Sequence, residues 1–370
     1  MRILVIGAGI AGLGAARALR FRGFATEVVE REPSWTHSGA GIYLPGNAAR
    51  ALRALGLESA VAERGSLITR QRFCDHRGRL LVDIDLTELW GDVGPCLALH
   101  RADLHEVVAS HGDPVNVRMG LPMQRLRHHD DMVTVEFGDA TTDHYDLVIG
   151  ADGIHSTVRR LAFDSGAFPV GQFAWRFVTE CPPEVTSWTV LLGRDVTFLA
   201  VPIGGGRVYC YCDTSSKGAH RLQEGDATGM LAELLTGFAA PVPDILDTLG
   251  PDHAVHVSPI EEARLDGWSR RSVLLIGDAA HATSPNMAEG AAMALEDGLV
   301  LAECLASEAD VNQAIARFQD RRRPRTQWVL TQTHLRDRTR NLPPALRNLV
   351  LRRWGRNIFH ANYRPLLDLP

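Results

Sequence analysis

Residues 1–31 read MRILVIGAGIAGLGAARALRFRGFATEVVER, and the reading of this stretch decides the fold. Ile3 to Ile6 is a short apolar run of strand formers, the composition of a buried parallel strand. Gly7, Gly9 and Gly12 follow in G-x-G-x-x-G spacing, with Ala11 between the last two, and Leu13 to Arg22 then reads as a helix. The three glycines do different things. Gly7 permits a tight turn, Gly9 lets backbone approach a pyrophosphate, and Gly12 brings helix close to sheet. The helix N-terminus offers free N–H groups and a positive dipole end to phosphates. Thr26 to Val29 predicts a second strand, ending on Glu30, whose carboxylate can accept hydrogen bonds from ribose hydroxyls. A glycine triplet alone is an ordinary turn. With strand, helix, second strand and terminal acid in place, the pattern specifies a dinucleotide site. The apolar N-terminus lacks the long apolar core and cleavage site of a signal peptide.

Bulk composition narrows the class. At 370 residues the chain can bury a large core in two or three domains. A formal charge of −5 with 22% charged residues gives no support for nucleic acid or an anionic membrane as partner. No apolar run approaches the roughly eighteen residues that would span a bilayer. The six cysteines are scattered without a C-x-x-C pair, which reads as free thiols in a reducing cytoplasm. Cys210 and Cys212 share one strand face, so packing explains them better than a metal does. His128, His129, Asp130 and Asp131 read as a solvated turn, because adjacent side chains at a hairpin tip diverge.

Further along, Ala48 to Leu55 is a helix stopped by Gly56, and Thr69 to Cys74 with Arg79 to Asp85 predict a hairpin. Val115 to Met119 and Met132 to Phe137 read as strands flanking the polar turn, and Tyr145 to Ile149 as a buried strand. From 171 to 213 four strands follow without helices, which implies an antiparallel sheet distinct from the first. Ser272 to Ile276 returns to buried-strand character, Met287 to Ala306 is a long apolar helix, and Ala314 to Trp328 a basic helix whose segment 317–325 either serves a binding partner or is simply a solvated cationic face. Two loops repeat the logic of the opening stretch: GADGIHSTVR at 150–159 and GDAAHATSP at 277–285 each follow a buried strand. An acid at that point, Asp152 or Asp278, sits where doubly wound sheets bind ligands.

On these residues the chain resembles the class A FAD-dependent aromatic hydroxylases, the group that includes p-hydroxybenzoate and salicylate hydroxylases. The fingerprints are GAGIAG at 7–12, DGIHSTVR at 152–159 and GDAAHATSP at 277–285. VVERE at 28–32, GAGIYL at 39–44, HRADL at 100–104, FAWR at 173–176 and RFQDRRRPR at 317–325 support them, in order, over roughly residues 1–330. The resemblance implies an α/β fold: a Rossmann-like FAD-binding domain with a parallel sheet, interrupted by an antiparallel-sheet substrate domain. The expected boundaries are 1–68, 96–165 and 263–330 for the FAD-binding parts, 69–95 and 166–262 for the substrate domain, and 331–370 for a C-terminal helical segment.

It further implies non-covalent FAD, with Gly7, Gly9, Ala11 and Gly12 at the pyrophosphate, Glu30 at the adenosine ribose, and Arg31 and Arg101 along the dinucleotide. Gly41, Ile42, Gly290 and Ala291 join that set. Asp278 would bind the ribityl–phosphate region, and Pro285 would face the isoalloxazine. Asp152 belongs to a motif linked to both FAD and NAD(P)H, and bracing the strand–helix junction is its alternative role. The family continues beyond the proline as x-x-G-Q-G-x-N; here Glu289 replaces the Gln and Ala292 the Asn. An ionised Glu289 near the flavin would oppose its anionic reduced form.

The implied reaction uses NADH or NADPH and O₂ to hydroxylate a small aromatic or heteroaromatic substrate through a flavin hydroperoxide. A flavin reductase of the same superfamily and a non-catalytic flavin-binding redox sensor are the competing classes. The inserted sheet is expected to roof the flavin with an apolar and aromatic face supplied by Phe198, Leu199, Tyr209 and Tyr211. Tyr209 is the candidate hydroxyl for orienting or deprotonating a phenolic substrate, with Pro285 as the second catalytic candidate. Because the chain ends soon after the basic helix, a compact substrate is expected, in a monomer or homodimer.

Overall fold

Ile3–Ile6 lies at the centre of a six-stranded sheet in the computed structural model, which describes residues 1–35, 40–129, 132–215, 227–250 and 253–370. Thr26–Val29 pairs with it on one side and Leu147–Gly150 on the other, both in parallel. Val273–Leu275 extends the sheet beyond 147–150, Val117–Arg118 extends it beyond 26–29, and only Ser269–Arg270 runs antiparallel, at the edge. All four central residues are buried, as parallel strands covered on both faces require. Helix Ile10–Phe21 packs against Gly290–Ser307, and Val311–Arg340 packs outside that pair.

The second large sheet has seven strands. Its order is His256–Glu262, Phe168–Glu180, Arg207–Ser215, Val196–Gly204, Trp188–Leu192, Arg70–Asp75 and Leu80–Asp85. The hairpin at 70–85 thus joins the same sheet as the strand run at 168–215. It does so through a parallel pairing of 188–192 with 71–75, an exception in an otherwise antiparallel sheet. The back face buries Trp175, Phe177, Phe198, Cys210 and Cys212 beneath Leu231, Leu235 and Ile245. The two cysteines are therefore packing residues, and all six thiols are free.

The structure departs from the sequence-based expectation at several points. Met132–Phe137 pairs with Met123–His129, while Val117–Arg118 belongs to the parallel sheet. Most side chains of 123–129 are polar and half or fully exposed, so that strand shows no apolar alternation to read. Asp130 and Asp131 lie outside the described residues. Phe198 turns to the back core and only Leu199 of that pair faces forward, because the strand register sets alternation. The helix expected from Met287 begins at Gly290, after a short 3₁₀ turn at Pro285–Met287 and a left-handed Ala288 (φ 54°).

The basic helix runs from Val311 to Arg340, and its cationic face is not all solvated. Arg322 and Arg325 are buried and ion-paired with Glu296, Arg322 also with Asp297. A final helix, Pro344–Leu367, lies against strand Leu80–Asp85 and returns to the first domain, where Arg50 donates to the carbonyl of Leu367 at 2.6 Å. Among the described residues no helix is long and apolar enough to cross a membrane.

Candidate active site

The site begins at the first turn. A Cβ on Gly12 would stand 1.9 Å from the carbonyl oxygen of Gly7, so only glycine lets the helix start this close to the strand. Gly7 itself is at φ 101°, a region that glycine adopts freely. Gly9 occupies the N-cap with no side chain satisfying the helix N–H groups, and nothing lies within 4 Å of where its Cβ would be. Open space over unsatisfied donors is a phosphate cradle. Ala11 is half-buried on the same first turn.

Glu30 follows the second strand, and its two oxygens accept from Ala8 N at 2.8 Å and Glu32 N at 3.1 Å. A carboxylate has about four lone-pair positions, so acceptor capacity remains for a ribose. Arg31 is exposed and paired with Glu32 at 3.3 Å. Asp152 is different. It accepts from Ser156 Oγ at 2.5 Å, Thr157 N at 2.7 Å and Val158 N at 3.1 Å, capping helix Thr157–Phe163, so its carboxylate braces the junction.

Beneath the seven-stranded sheet, and reaching the loops that leave the parallel sheet, lies a cavity of about 1020 Å³. Its floor includes Gly41, Ile42, Arg101, Asp278, Pro285, Gly290 and Ala291, which brings together seven of the sequence-predicted residues. Asp278 is exposed at the mouth of its strand, at the cavity edge. Its loop is held from below. Asp297 accepts from Gly277 N at 2.9 Å, His281 Nε2 at 2.7 Å and Arg322 Nε at 2.7 Å. Although burial opposes ionisation, the charges of His281 and Arg322 hold Asp297 below the ordinary carboxylate range.

The ceiling is the forward face of the seven-stranded sheet. Tyr209 and Tyr211 share that face with Leu199, Val201 and Arg176. Burial raises the Tyr209 hydroxyl to about 12 although the charge of Arg176 opposes the shift, so at neutral pH it is a donor and not a base. Arg176 also donates to Ser258 Oγ at 2.9 Å and lies 5.5 Å over the Tyr211 ring. Tyr211 donates to Asp213, which Arg340 holds at 2.7 Å. Gln71 Oε1, Trp188 Nε1 and Thr197 Oγ1 are buried on the cavity wall without a hydrogen-bond partner among the described residues.

Glu289 faces away from the cavity, into a buried cluster that residue-type reasoning missed. Asn47 Nδ2 donates to it at 2.9 Å and to Glu296 at 3.3 Å, and Glu296 is clamped by Arg322 and Arg325. Burial outweighs the Asn47 hydrogen bond and lifts Glu289 to about 8, so it is neutral at pH 7 and does not oppose a reduced flavin. The motif RFQDRRRPR was the one signal pointing to Arg322 and Arg325. Nothing comparable marks Asn47.

This architecture recurs in known proteins. The family described as FAD binding domain matches residues 1–333, and the chain belongs to it. The aurachin C monooxygenase/isomerase of Stigmatella aurantiaca is 31% identical over 86% of this chain and 84% of its own. The 3-amino-4-hydroxybenzoate 2-monooxygenase of Streptomyces cremeus is 33% identical over 89% and 85%. The structure of Klebsiella pneumoniae HpxO complexed with FAD and uric acid superposes with a TM-score of 0.89 at 25% identity, covering 100% of this chain and 97% of that one. The protein is an FAD-dependent monooxygenase of the aromatic hydroxylase kind. Its cradle fits the cofactor: open glycine backbone, an uncapped helix N-terminus and a cavity floored by Asp278 and Pro285.

Proposed function

We propose that the protein uses NADH or NADPH and O₂ to hydroxylate an aromatic or heteroaromatic substrate held between Pro285 and the roof tyrosines. One observation carries this reading: a single cavity joins the loop of Asp278 and Pro285 to a roof that presents Tyr209, Arg176 and three polar atoms without a partner among the described residues. At the glycine turn Gly7, Gly9, Ala11 and Gly12 would hold the pyrophosphate and Glu30 the ribose, with Arg31 and, at the cavity edge, Arg101 flanking the dinucleotide. Gly41, Ile42, Gly290 and Ala291 contact the flavin through backbone, Asp278 takes the ribityl side, and Asp152 keeps the loop in shape. Bound FAD supplies the electron transfer and oxygen activation, while the protein supplies orientation and electrostatics.

Tyr209 donates a hydrogen bond to the substrate's ring oxygen, and Arg176 favours that oxygen as an anion, which enriches the ring in electrons. Leu199 and Val201 keep water off the reacting face. One relative named above is a hydroxybenzoate monooxygenase and the HpxO structure holds uric acid, which supports a ring substrate here. The test is NAD(P)H consumption in air against a panel of phenols and heteroaromatics. Substrate-stimulated consumption with a product heavier by one oxygen is the expected outcome. Consumption that needs no oxygen would instead make the protein a reductase, and none at all a flavin-binding protein without turnover.

A further inference from the structure

The cavity continues well past the roof tyrosines. Tyr211, Leu199, Val190, Phe73 and Val82 are register partners across five adjacent strands, and all five line the cavity. Directly paired residues point to the same face, so these side chains form one straight row. Four strand spacings make the row about 19 Å long, and the part from Leu199 to Val82 is about 14 Å. That part carries no polar side-chain atom.

The C-terminal helix closes the opposite side with Leu351, Ile358 and Phe359. It is seated on the hairpin at Gly355, where a Cβ would come within 3.2 Å of Val82. Ile358 is 38% exposed, so the strip reaches solvent there. The charges beside it are already engaged. Arg347 donates to the carbonyls of Leu192 and Gly193 at 3.0 and 2.6 Å, and Arg340 is paired with Asp213.

We propose that the substrate is an aromatic or heteroaromatic ring bearing an extended apolar chain, with the ring at Tyr209 and Pro285 and the chain along Leu199, Val190, Phe73 and Val82. The proposal rests on the hydroxylase reading and replaces the compact substrate expected from sequence. A single ring covers little more than one strand spacing and would leave the strip open to water, which apolar walls disfavour. A chain laid along it removes both its own surface and that of the strip from water.

The test is a homologous series of n-alkyl hydroxyquinolines from methyl to tridecyl, with the holoenzyme. Two quantities are measured: kcat/KM, and the dissociation constant from flavin fluorescence. Both should improve by about fourfold per buried methylene until the strip is filled, then level off. Leu351→Glu and Val82→Asp should flatten that slope, and their flavin absorbance shows whether they fold. Should a variant not fold, the series on the unaltered protein decides alone. A flat or falling dependence on chain length, with the methyl compound still hydroxylated, overturns the chain and leaves the hydroxylase reading intact. A rising affinity without any hydroxylated product supports the strip and removes the hydroxylase reading.

Discussion

A Cβ on Gly41 would fall 2.3 Å from the Cβ of Tyr209, so the backbone of the floor strand and the stem of the roof tyrosine are in direct contact. This contact fixes the height of the roof above the floor at the point where Gly41 and Ile42 line the cavity. It also keeps the Tyr209 ring from swinging toward Gly41. The Arg176 guanidinium is the cation that acts on the hydroxyl of that ring.

Replacing Tyr209 with Phe should therefore keep the fold and FAD binding while lowering substrate turnover by roughly two to three orders of magnitude, within the range for a positioned proton donor or acceptor. Coupling of NAD(P)H consumption to product should fall as well. Turnover and coupling equal to those of the unaltered protein would return Tyr209 to a packing role.

Glu30→Ala should weaken FAD binding by about 1.5–3 kcal/mol, a ten- to hundredfold effect for a charged hydrogen bond. The loss has two sources, because the same carboxylate also holds the N–H of Ala8 in the glycine turn. Fluorescence titration of the apoprotein with FAD measures it. An unchanged dissociation constant would take Glu30 out of the cofactor site.

How much was legible in the sequence depended on whether position or packing decided the role. Gly12 and Asp278 follow strands whose apolar runs are unmistakable, and local spacing alone puts them at the carboxyl end of the parallel sheet. The hairpin at 70–85 was readable as strands, yet its parallel seam to 188–192 was not, since pairing partners far apart in sequence leave no local pattern. Asp152 shows the opposite limit: its motif suggested a ligand, and its oxygens are occupied by the helix start it caps. Arg322 and Arg325 looked like members of a solvated cationic face because their carboxylate partners sit on another helix, around Glu296. The strip from Leu199 to Val82 lies across strands and closes only when the C-terminal helix docks.

The buried ion cluster should behave as a unit. Arg322 is 0% exposed and bonded to Glu296 and Asp297 at 2.7 Å each, so Arg322→Leu removes the one cation the two carboxylates share, leaving Glu296 to Arg325 and Asp297 to His281. Removing one partner of such a pair costs about 3–5 kcal/mol. Because Asp297 also positions Gly277 and His281, the variant should lose FAD affinity beyond its loss of stability. Chemical denaturation and FAD titration, run together, separate the two effects. A variant as stable as the unaltered protein would mean the cluster is not closed as described.

Glu289 gives the clearest pH signature. Its carboxyl is raised from 4.5 to about 8, chiefly by burial, so the folded state favours the protonated form. The sign follows: the stabilising difference is fully present below about 4.5 and is lost as pH rises through about 8. Glu289→Gln keeps the shape and the Asn47 contact while removing the ionisation. Between pH 5 and pH 9 the Gln variant should gain stability relative to the unaltered protein, on the order of a few kcal/mol at the upper end. Below pH 5 the two should lie close together, since both side chains are then neutral. The measurement is urea denaturation of each protein at several pH values across that window. Parallel pH profiles would show that Glu289 ionises at its ordinary value, and that the carboxyl reaches water by some route between helix Gly46–Ala54 and the start of helix Gly290–Ser307.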